Sequence, residues 1–189
     1  MARTSILLDS NVYFRLARSV HPLLDREFGE SRYCLYVIPD LDAEFRKNPR
    51  LRSKFHWVGD PDYTANRQTP LSLSRQQRKE ILRAYDFMFN HARTEGLGVS
   101  PVDVRALATA YVLDVQVVTD DQDMLRLAGD FGIETMNTLA LMRLMLDAGH
   151  IDMDRVRQIA AYWQYEKDTP AGFRKDYPRL FGEPVPPPL

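Results

Sequence analysis

The sequence contains one cysteine, no hydrophobic run of membrane-spanning length and almost no net charge. Because Cys34 is alone, the chain cannot form an internal disulfide, and we expect Cys34 to be a small buried hydrophobe in a strand rather than a nucleophile. No stretch resembles a secretory signal, and the apolar runs are too short to cross a bilayer. We therefore expect a soluble, cytoplasmic protein without membrane contact.

The charges nearly cancel, since 25 lysines and arginines face 26 acidic residues, for a formal net charge of −1. A balanced chain produces no global field that attracts a polyanion, so any contact with nucleic acid must be local. The histidines do not show the spacing of metal ligands; they are His21, His56, His91 and His150. Hydrophobic residues make up 44% of the chain, which is enough for a core.

Short apolar runs alternate with amphipathic stretches along the chain. The strand candidates are residues 5–8, 33–38, 115–118 and 132–136. The helix candidates begin near Asn11, Leu23, Pro39, Ser74, Ser100, Asp123 and Asn137. Nearly continuous apolar runs are typical of parallel strands that are buried on both faces. We predict an α/β fold, a three-layer sandwich around a central, mostly parallel sheet of four to five strands.

Two regions depart from this alternation. Residues 48–74 contain three prolines and scattered charge, which predicts a long loop or lid. After residue 150 the chain continues as one amphipathic helix, around residues 153–163, and ends in a proline-rich tail. We therefore divide the chain into a domain at 1–150 and a C-terminal helical extension at 151–189.

Four carboxylates follow predicted strands or begin predicted helices: Asp9, Glu44, Asp103 and Asp121. The carboxyl ends of parallel strands meet at one edge of the sheet, so all four can face one crevice. Each acid alone also suits a helix N-terminus, where it complements the dipole. Clustered anions repel one another, however, and divalent cations remove that repulsion. The pattern therefore indicates metal-assisted cleavage of a phosphodiester.

Four segments around these acids resemble the motifs of PIN-domain ribonucleases in order and spacing. They are residues 6–12 (ILLDSNV), 37–44 (VIPDLDAE), 103–110 (DVRALATA) and 117–124 (VVTDDQDM). The resemblance covers about residues 1–137. It implies a PIN-like fold and a nuclease that depends on Mg²⁺ or Mn²⁺, the cations that all-oxygen ligand sets favour. Many small members are toxins of VapBC-type toxin–antitoxin pairs.

The resemblance also implies roles for individual residues and partners. The catalytic residues would be Asp9, Glu44, Asp103 and Asp121. The metal ligands would be Asp9, Asp103 and Asp121, with Asp123 auxiliary. The substrate would be RNA, an antitoxin protein is a candidate partner, and a homodimer is a second candidate because small PIN nucleases commonly dimerise.

Two assignments depend on register. In the fourth segment, the family pattern selects Asp121 and leaves Asp120 facing solvent. Thr119 would orient the site by bonding a neighbouring carboxylate or backbone group, and Asn11 is a second supporting residue that could cap the first helix. In the second segment the choice of acid stays open, since two others precede Glu44 on the same predicted helix.

The densest basic segment follows Glu44 and consists of Arg46, Lys47, Arg50, Arg52 and Lys54, with Phe45, Phe55 and Trp57 interleaved. It could grip RNA phosphates and stack an unpaired base, or it could simply be a solvated helix end.

Three functions therefore stay open. The preferred one is a metal-dependent endoribonuclease. The others are a PIN-like nuclease that acts on DNA or structured RNA in processing or repair, and a non-catalytic nucleic-acid-binding module. Four retained acids argue against the last, because a surface that binds polyanions does not favour anions.

Overall fold

The computed structural model describes residues 3–189, which contain five strands and ten α-helices. The strands are β1 (Thr4–Leu8), β2 (Glu27–Phe28), β3 (Tyr33–Tyr36), β4 (Gln116–Val118) and β5 (Thr135–Met136). The helices are α1 (Ser10–Leu16), α2 (Asp40–Lys47), α3 (Pro49–Lys54), α4 (Pro61–Asn66), α5 (Arg75–Thr94), α6 (Pro101–Leu113), α7 (Gln122–Asp130), α8 (Thr138–Asp147), α9 (Met153–Tyr165) and α10 (Phe173–Phe181).

The strands form a single sheet in the order β2-β3-β1-β4-β5. Strand β1 is parallel to β3 and to β4, and β4 is parallel to β5. Only the short edge strand β2 runs antiparallel to its neighbour, β3. In the central strand, Leu7 is aligned with Tyr36 on one side and with Val117 on the other. The predicted class, an α/β fold with a mostly parallel sheet, is confirmed.

Side chains of β1 alternate between two cores, one on each face of the sheet. Ile6 and Leu8 belong to the core that α1, α8, α9 and α10 cover, whereas Leu7 belongs to the core under α5, α6 and α7. Cys34 lies in this second core and is fully buried, as expected. Because helices cover both faces, the molecule has the three layers that the sequence predicts.

Residues 23–28 do not form the predicted helix. Asp25 has a φ of 54°, a left-handed conformation that a right-handed helix cannot contain. Glu27 and Phe28 then pair with β3 as its antiparallel neighbour. The buried Phe28 ring anchors this edge by contacting His150, 4.7 Å between ring centroids. Packing against a distant residue therefore decides the conformation of this stretch.

Residues 48–74 do not form the predicted long loop. Helices α3 and α4 and a short 3₁₀ helix between them (His56–Gly59) occupy most of the stretch, and residues 69–74 have no regular secondary structure. Asn48 caps α3 through its side-chain oxygen. Pro49 and Pro61 lie at the starts of α3 and α4, where the missing N–H has no intrahelical partner to lose. These prolines begin helices and do not break them.

The predicted C-terminal helix is present as α9, and α10 follows it. Trp163 of α9 is 1% exposed and its Nε1 donates to the carbonyl of Arg15 at 3.1 Å. Every fourth residue of α10 is buried, namely Phe173, Tyr177 and Phe181. Both helices pack on the core that α1 covers, and the division at residue 150 stays a prediction. Between residues 3 and 189, no helix is both long enough and apolar enough to cross a membrane.

Candidate active site

Asp9 directly follows β1 and caps α1 with its own carboxylate. Oδ1 accepts a hydrogen bond from the backbone N–H of Asn11 at 3.1 Å, and Oδ2 accepts one from Thr119 Oγ1 at 3.0 Å. The prediction that Asn11 caps this helix is wrong. Its side chain is exposed, and only its backbone contributes. Since Asp9 is 3% exposed, both oxygens are oriented by the fold.

Thr119 connects the ends of two neighbouring parallel strands. Its side chain is fully buried after β4, and its hydroxyl donates to Asp9 while accepting from the backbone N–H of Asp121 at 3.1 Å. Asp121 is the N-cap of α7, and its Oδ1 accepts from Met124 N at 2.8 Å. One hydroxyl therefore sets the positions of two of the four carboxylates.

Asp103 enters the same region from the first turn of α6. Its Oδ2 accepts from Ser100 N at 2.8 Å, and Ser100 Oγ accepts from Asp103 N at 3.2 Å, which completes a capping box. The hydroxyl, proline and acid that begin this helix in the sequence predict that start, and the structure confirms it.

Helix α2 contributes Glu44. Its Oε2 accepts from the hydroxyl of Ser10, the residue after Asp9, at 2.8 Å. The other two acids of this helix have different surroundings. Asp42 pairs with Arg67 at 2.9 Å, and Asp40 lines a separate cavity described below. Glu44 is thus the acid of α2 that faces the other carboxylates.

Burial and neighbouring charge hinder the ionisation of Asp9, Glu44 and Asp103. Burial first, and then the charge of Asp103 and more weakly that of Asp121, raises the pKa of Asp9 to about 7. Burial and then Asp103 raise the pKa of Glu44. Burial, and to a lesser extent Asp121, raises the pKa of Asp103, against the hydrogen bonds from its capping box. The four acids therefore form one electrostatic unit.

Among residues 3–189, no cation neutralises this unit. Within residues 3–189, no lysine, arginine or histidine lies at ion-pair distance from Asp9, Glu44, Asp103 or Asp121. A buried carboxylate such as Asp9 is ordinarily paired or binds metal, whereas Asp121 is exposed at the rim of the cluster. The cluster therefore has the charge and the donor atoms that a cation site needs.

The donor set fits a hydrated magnesium or manganese ion. All four side chains offer oxygen, the donor that these hard cations prefer. In the described part of the chain, however, no three histidine, cysteine or acidic side chains converge tightly enough to hold one ion together. Mg²⁺ commonly keeps several waters and uses one or two carboxylates. An ion at this cluster would therefore keep several of its own waters and would not be enclosed by a cage of carboxylates.

Asp120 was predicted to face solvent, and the structure contradicts this. Its side chain is 7% exposed, and its Oδ2 accepts from Arg15 Nη1 at 2.8 Å. It also accepts from the backbone N–H and the hydroxyl of Thr138. Asp120 points back between α1 and α8 because the chain turns after Thr119. It fastens the loop that carries Asp121 and lies apart from the carboxylate cluster.

Asp123 accepts a hydrogen bond from the backbone of a segment outside the carboxylate cluster. Its Oδ2 accepts from Gly98 N at 2.8 Å, which ties the start of α7 to the connection after α5. Asp123 is not among the main charges that perturb the titration of Asp9, Glu44 or Asp103. Its auxiliary metal role stays a prediction.

The five predicted RNA-binding cations are exposed on the last turn of α2 and on α3. Lys54 pairs with Asp168 at 3.2 Å and lies over the Phe55 ring. The aromatic residues between them do not offer free faces to a base, contrary to the prediction. Phe45 and Trp57 are 8% and 5% exposed, and Phe55 stacks on another core ring. A contact of this segment with RNA would therefore be through phosphates alone.

Two supporting residues, Ser10 and Arg15, were missed in the sequence. No motif of its own marks Ser10, although its position next to Asp9 at a strand end is a usable signal. Arg15 is the one cation within the apolar run of α1. A buried charge needs a buried partner, so an arginine between Phe14 and Leu16 signals an acid somewhere in the core, without saying which.

Comparisons with known proteins add structural likeness alone. No family model matches this chain, and no curated protein does. Among solved structures, FitAcB from Neisseria gonorrhoeae is similar over 70% of this chain and 97% of that chain, with 18% sequence identity and a TM-score of 0.44. The function is therefore inferred from the residues of the site.

Proposed function

We propose that this protein is a metal-dependent endoribonuclease that hydrolyses RNA phosphodiester bonds. The observation that carries the proposal is the meeting of Asp9, Glu44, Asp103 and Asp121, from four separate elements, with no cation of residues 3–189 at ion-pair distance. The pKa of Asp9, Glu44 and Asp103 is raised, which costs folding free energy, and groups perturbed in this way are typical of functional sites. Binding divalent cations is the function that suits it.

Asp9, Asp103 and Asp121 are the residues that would hold the metal, with Asp123 as an auxiliary ligand. When bound, Mg²⁺ or Mn²⁺ would supply positive charge that offsets the charge developing on the phosphoryl oxygens. Thr119 keeps Asp9 and Asp121 in register. Ser10 occupies one oxygen of Glu44, which leaves Oε1 to accept a proton from the attacking water. A carboxylate with a raised pKa is suited to that task.

RNA is the preferred substrate because the four acid-bearing segments resemble those of PIN-domain ribonucleases. The exposed cations of α2 and α3 offer contacts for its phosphates. The same resemblance favours a toxin role, with an antitoxin protein as partner, and a homodimer as a second association. These associations rest on the resemblance alone.

Two other functions are distinguishable from this one. A nuclease for DNA or structured RNA would use the same acids with a different substrate preference. A non-catalytic binding module would bind nucleic acid without cleaving it, which the unneutralised cluster disfavours because anions repel phosphates.

The test is cleavage of matched single-stranded RNA, structured RNA and DNA oligonucleotides with Mg²⁺, with Mn²⁺ and with a chelator. Cleavage of single-stranded RNA that the chelator stops supports the proposal. Faster cleavage of DNA or of structured RNA would favour the second function. Binding without cleavage in all metal conditions would favour the third.

A further inference from the structure

An open, mostly apolar cavity of about 290 Å³ lies between α5 and α6, beside the start of α2. Its apolar walls include Ile38, Leu71, Leu73, Ile81 and Leu82. Small-ligand pockets span roughly 300–1,000 Å³, so this volume suits one ring system and not a whole nucleotide. Leu82 is 52% exposed at the mouth, so the cavity is accessible from solvent.

The cavity adjoins the carboxylate cluster. Ile38 lines both this cavity and the cleft that contains Asp9 and Asp103. On α2, Asp40 of the cavity precedes Glu44 of the cluster by about one helical turn, which is roughly 5.4 Å of rise. On α6, Arg105 of the cavity follows Asp103 by two residues. The cavity is therefore within reach of a polymer whose phosphate lies at the cluster.

Three charged residues line the cavity together with Thr109, and the charged residues form no ion pairs within residues 3–189. Within residues 3–189, no opposite charge lies at ion-pair distance from Asp40, Arg78 or Arg105. Arg105 lies over the Tyr85 ring with its guanidinium carbon 4.3 Å from the centroid. Arg78 donates to the carbonyl of Leu73 at 3.3 Å. Two cations and one hydrogen-bond acceptor thus surround an apolar recess.

We propose that this cavity is a substrate subsite that receives one unstacked nucleobase of the RNA. This inference rests on the proposed function. Apolar walls suit the faces of a base, and the two arginines suit the phosphates on either side. The Asp40 carboxylate accepts hydrogen bonds, so it favours bases with an exocyclic amino group. An apolar peptide side chain would fill the recess but leave Asp40 without a donor.

The test is a titration of the four ribonucleoside monophosphates into methyl-labelled protein, in chelator so that no cation is bound at the acid cluster. We expect shifts of the Ile38, Leu73 and Ile81 methyl resonances, strongest for an amino-bearing base. Leu82→Trp partly fills the mouth and should weaken this binding by about tenfold. Phe87→Trp is the control, because Phe87 is on the same helix, is 69% exposed and does not line the cavity.

A second pair of variants does not alter the apolar walls. Arg78→Ala should weaken the binding severalfold, whereas Arg83→Ala, on the exposed face of the same helix, should not. Asp40→Asn should change the order of preference among the four bases. Methyl shifts that N-acetyl-phenylalanine amide produces and no nucleotide produces would overturn the subsite and assign the cavity to a protein partner.

RNA cleavage measured on the same samples, with Mg²⁺ restored, separates this inference from the proposed function. Cleavage without nucleotide-induced shifts at the cavity would overturn the subsite and leave the nuclease intact. Shifts that Leu82→Trp weakens, in a protein that cleaves no RNA, would support a base-binding cavity and overturn the nuclease.

Discussion

The hydroxyl of Thr119 donates to Asp9 Oδ2 across 3.0 Å, and this bond joins the end of β4 to the end of β1. The same hydroxyl accepts from Asp121 N. The site is therefore organised by a neutral group that neither neutralises the acids nor competes with them for a cation. Hydrogen-bond partners that orient metal-binding carboxylates commonly act in this indirect way, by holding the carboxylate oxygens in place.

Replacing Thr119 by valine keeps the side-chain shape and removes both bonds. We expect the metal-dependent cleavage rate to fall by about 10- to 100-fold. Thr4→Val is the matched control, since Thr4 is on β1, donates to a backbone carbonyl and lies at the opposite end of the strand. Equal rates for both variants would show that Thr119 does not position the site.

The metal-free protein should become less stable as the pH rises from about 4 to about 7. An aspartate in an unfolded chain titrates near 3.9, whereas the pKa of Asp9 in the folded protein is about 7. Between these values the folded state holds the proton more tightly, so ionisation costs folding free energy. The loss should amount to roughly 2–4 kcal/mol.

Asp9→Asn removes the charge of Asp9 and should remove most of the stability loss between about pH 4 and about pH 7. Urea unfolding between pH 4 and pH 8, with chelator present, measures it. At pH 8 the variant should be more stable than the original protein, although one of the two hydrogen bonds to Asp9 is lost. A decline equally steep in both proteins would assign it to other groups.

The acid positions were predictable to the extent that local pattern determined them. Asp9 closes an apolar run, and Ser100 with Pro101 begins a helix, so both signals are contained in a few neighbouring residues. The parallel sheet then brings these ends together. The orientation of Asp120 was not predictable in this way, because its partners Arg15 and Thr138 come from distant parts of the chain.

The same distinction, between local sequence pattern and contacts with distant residues, explains the errors in the predicted fold. The prolines near residues 49 and 61 suggest a loop by composition, yet each occupies a first helical turn where its geometry is favourable. The edge strand β2 is two residues long, so it has no periodicity to detect. Its pairing depends on β3 and on the buried Phe28 ring.

The Arg15–Asp120 ion pair should contribute more to stability than an exposed one. The two side chains are 16% and 7% exposed. Arg15→Met leaves Asp120 buried and unpaired, which should cost about 3 kcal/mol of unfolding free energy. Adding Asp120→Asn to that variant should recover part of the loss.

The matched exposed pair is Arg126 with Glu95, whose side chains are 57% and 39% exposed. Arg126→Met should cost at most about 1 kcal/mol. Urea denaturation of the three variants measures the difference. A cost for Arg15→Met no larger than that for Arg126→Met would mean that the Asp120 loop is held by its other contacts.

The basic segment on α3 should contribute phosphate contacts. Arg50 and Arg52 are exposed and without ion pairs among residues 3–189. Changing both to alanine should weaken RNA binding and reduce the slope of log affinity against log salt concentration by roughly 1–2. Arg174→Ala with Lys175→Ala, on exposed positions of α10, is the charge-matched control. An unchanged slope in the α3 double variant would remove this segment from the RNA surface.

The central claim is that Asp9 and Asp121 hold the metal on which RNA cleavage depends. The most direct measurement is the single-turnover rate of RNA cleavage at saturating Mg²⁺ for the original protein, Asp9→Asn, Asp121→Asn and the control Asp154→Asn, whose side chain is 80% exposed on α9. We predict losses of at least about 100-fold for the first two variants and none for the control. Full metal-dependent cleavage by Asp9→Asn, or by Asp121→Asn, would contradict the claim.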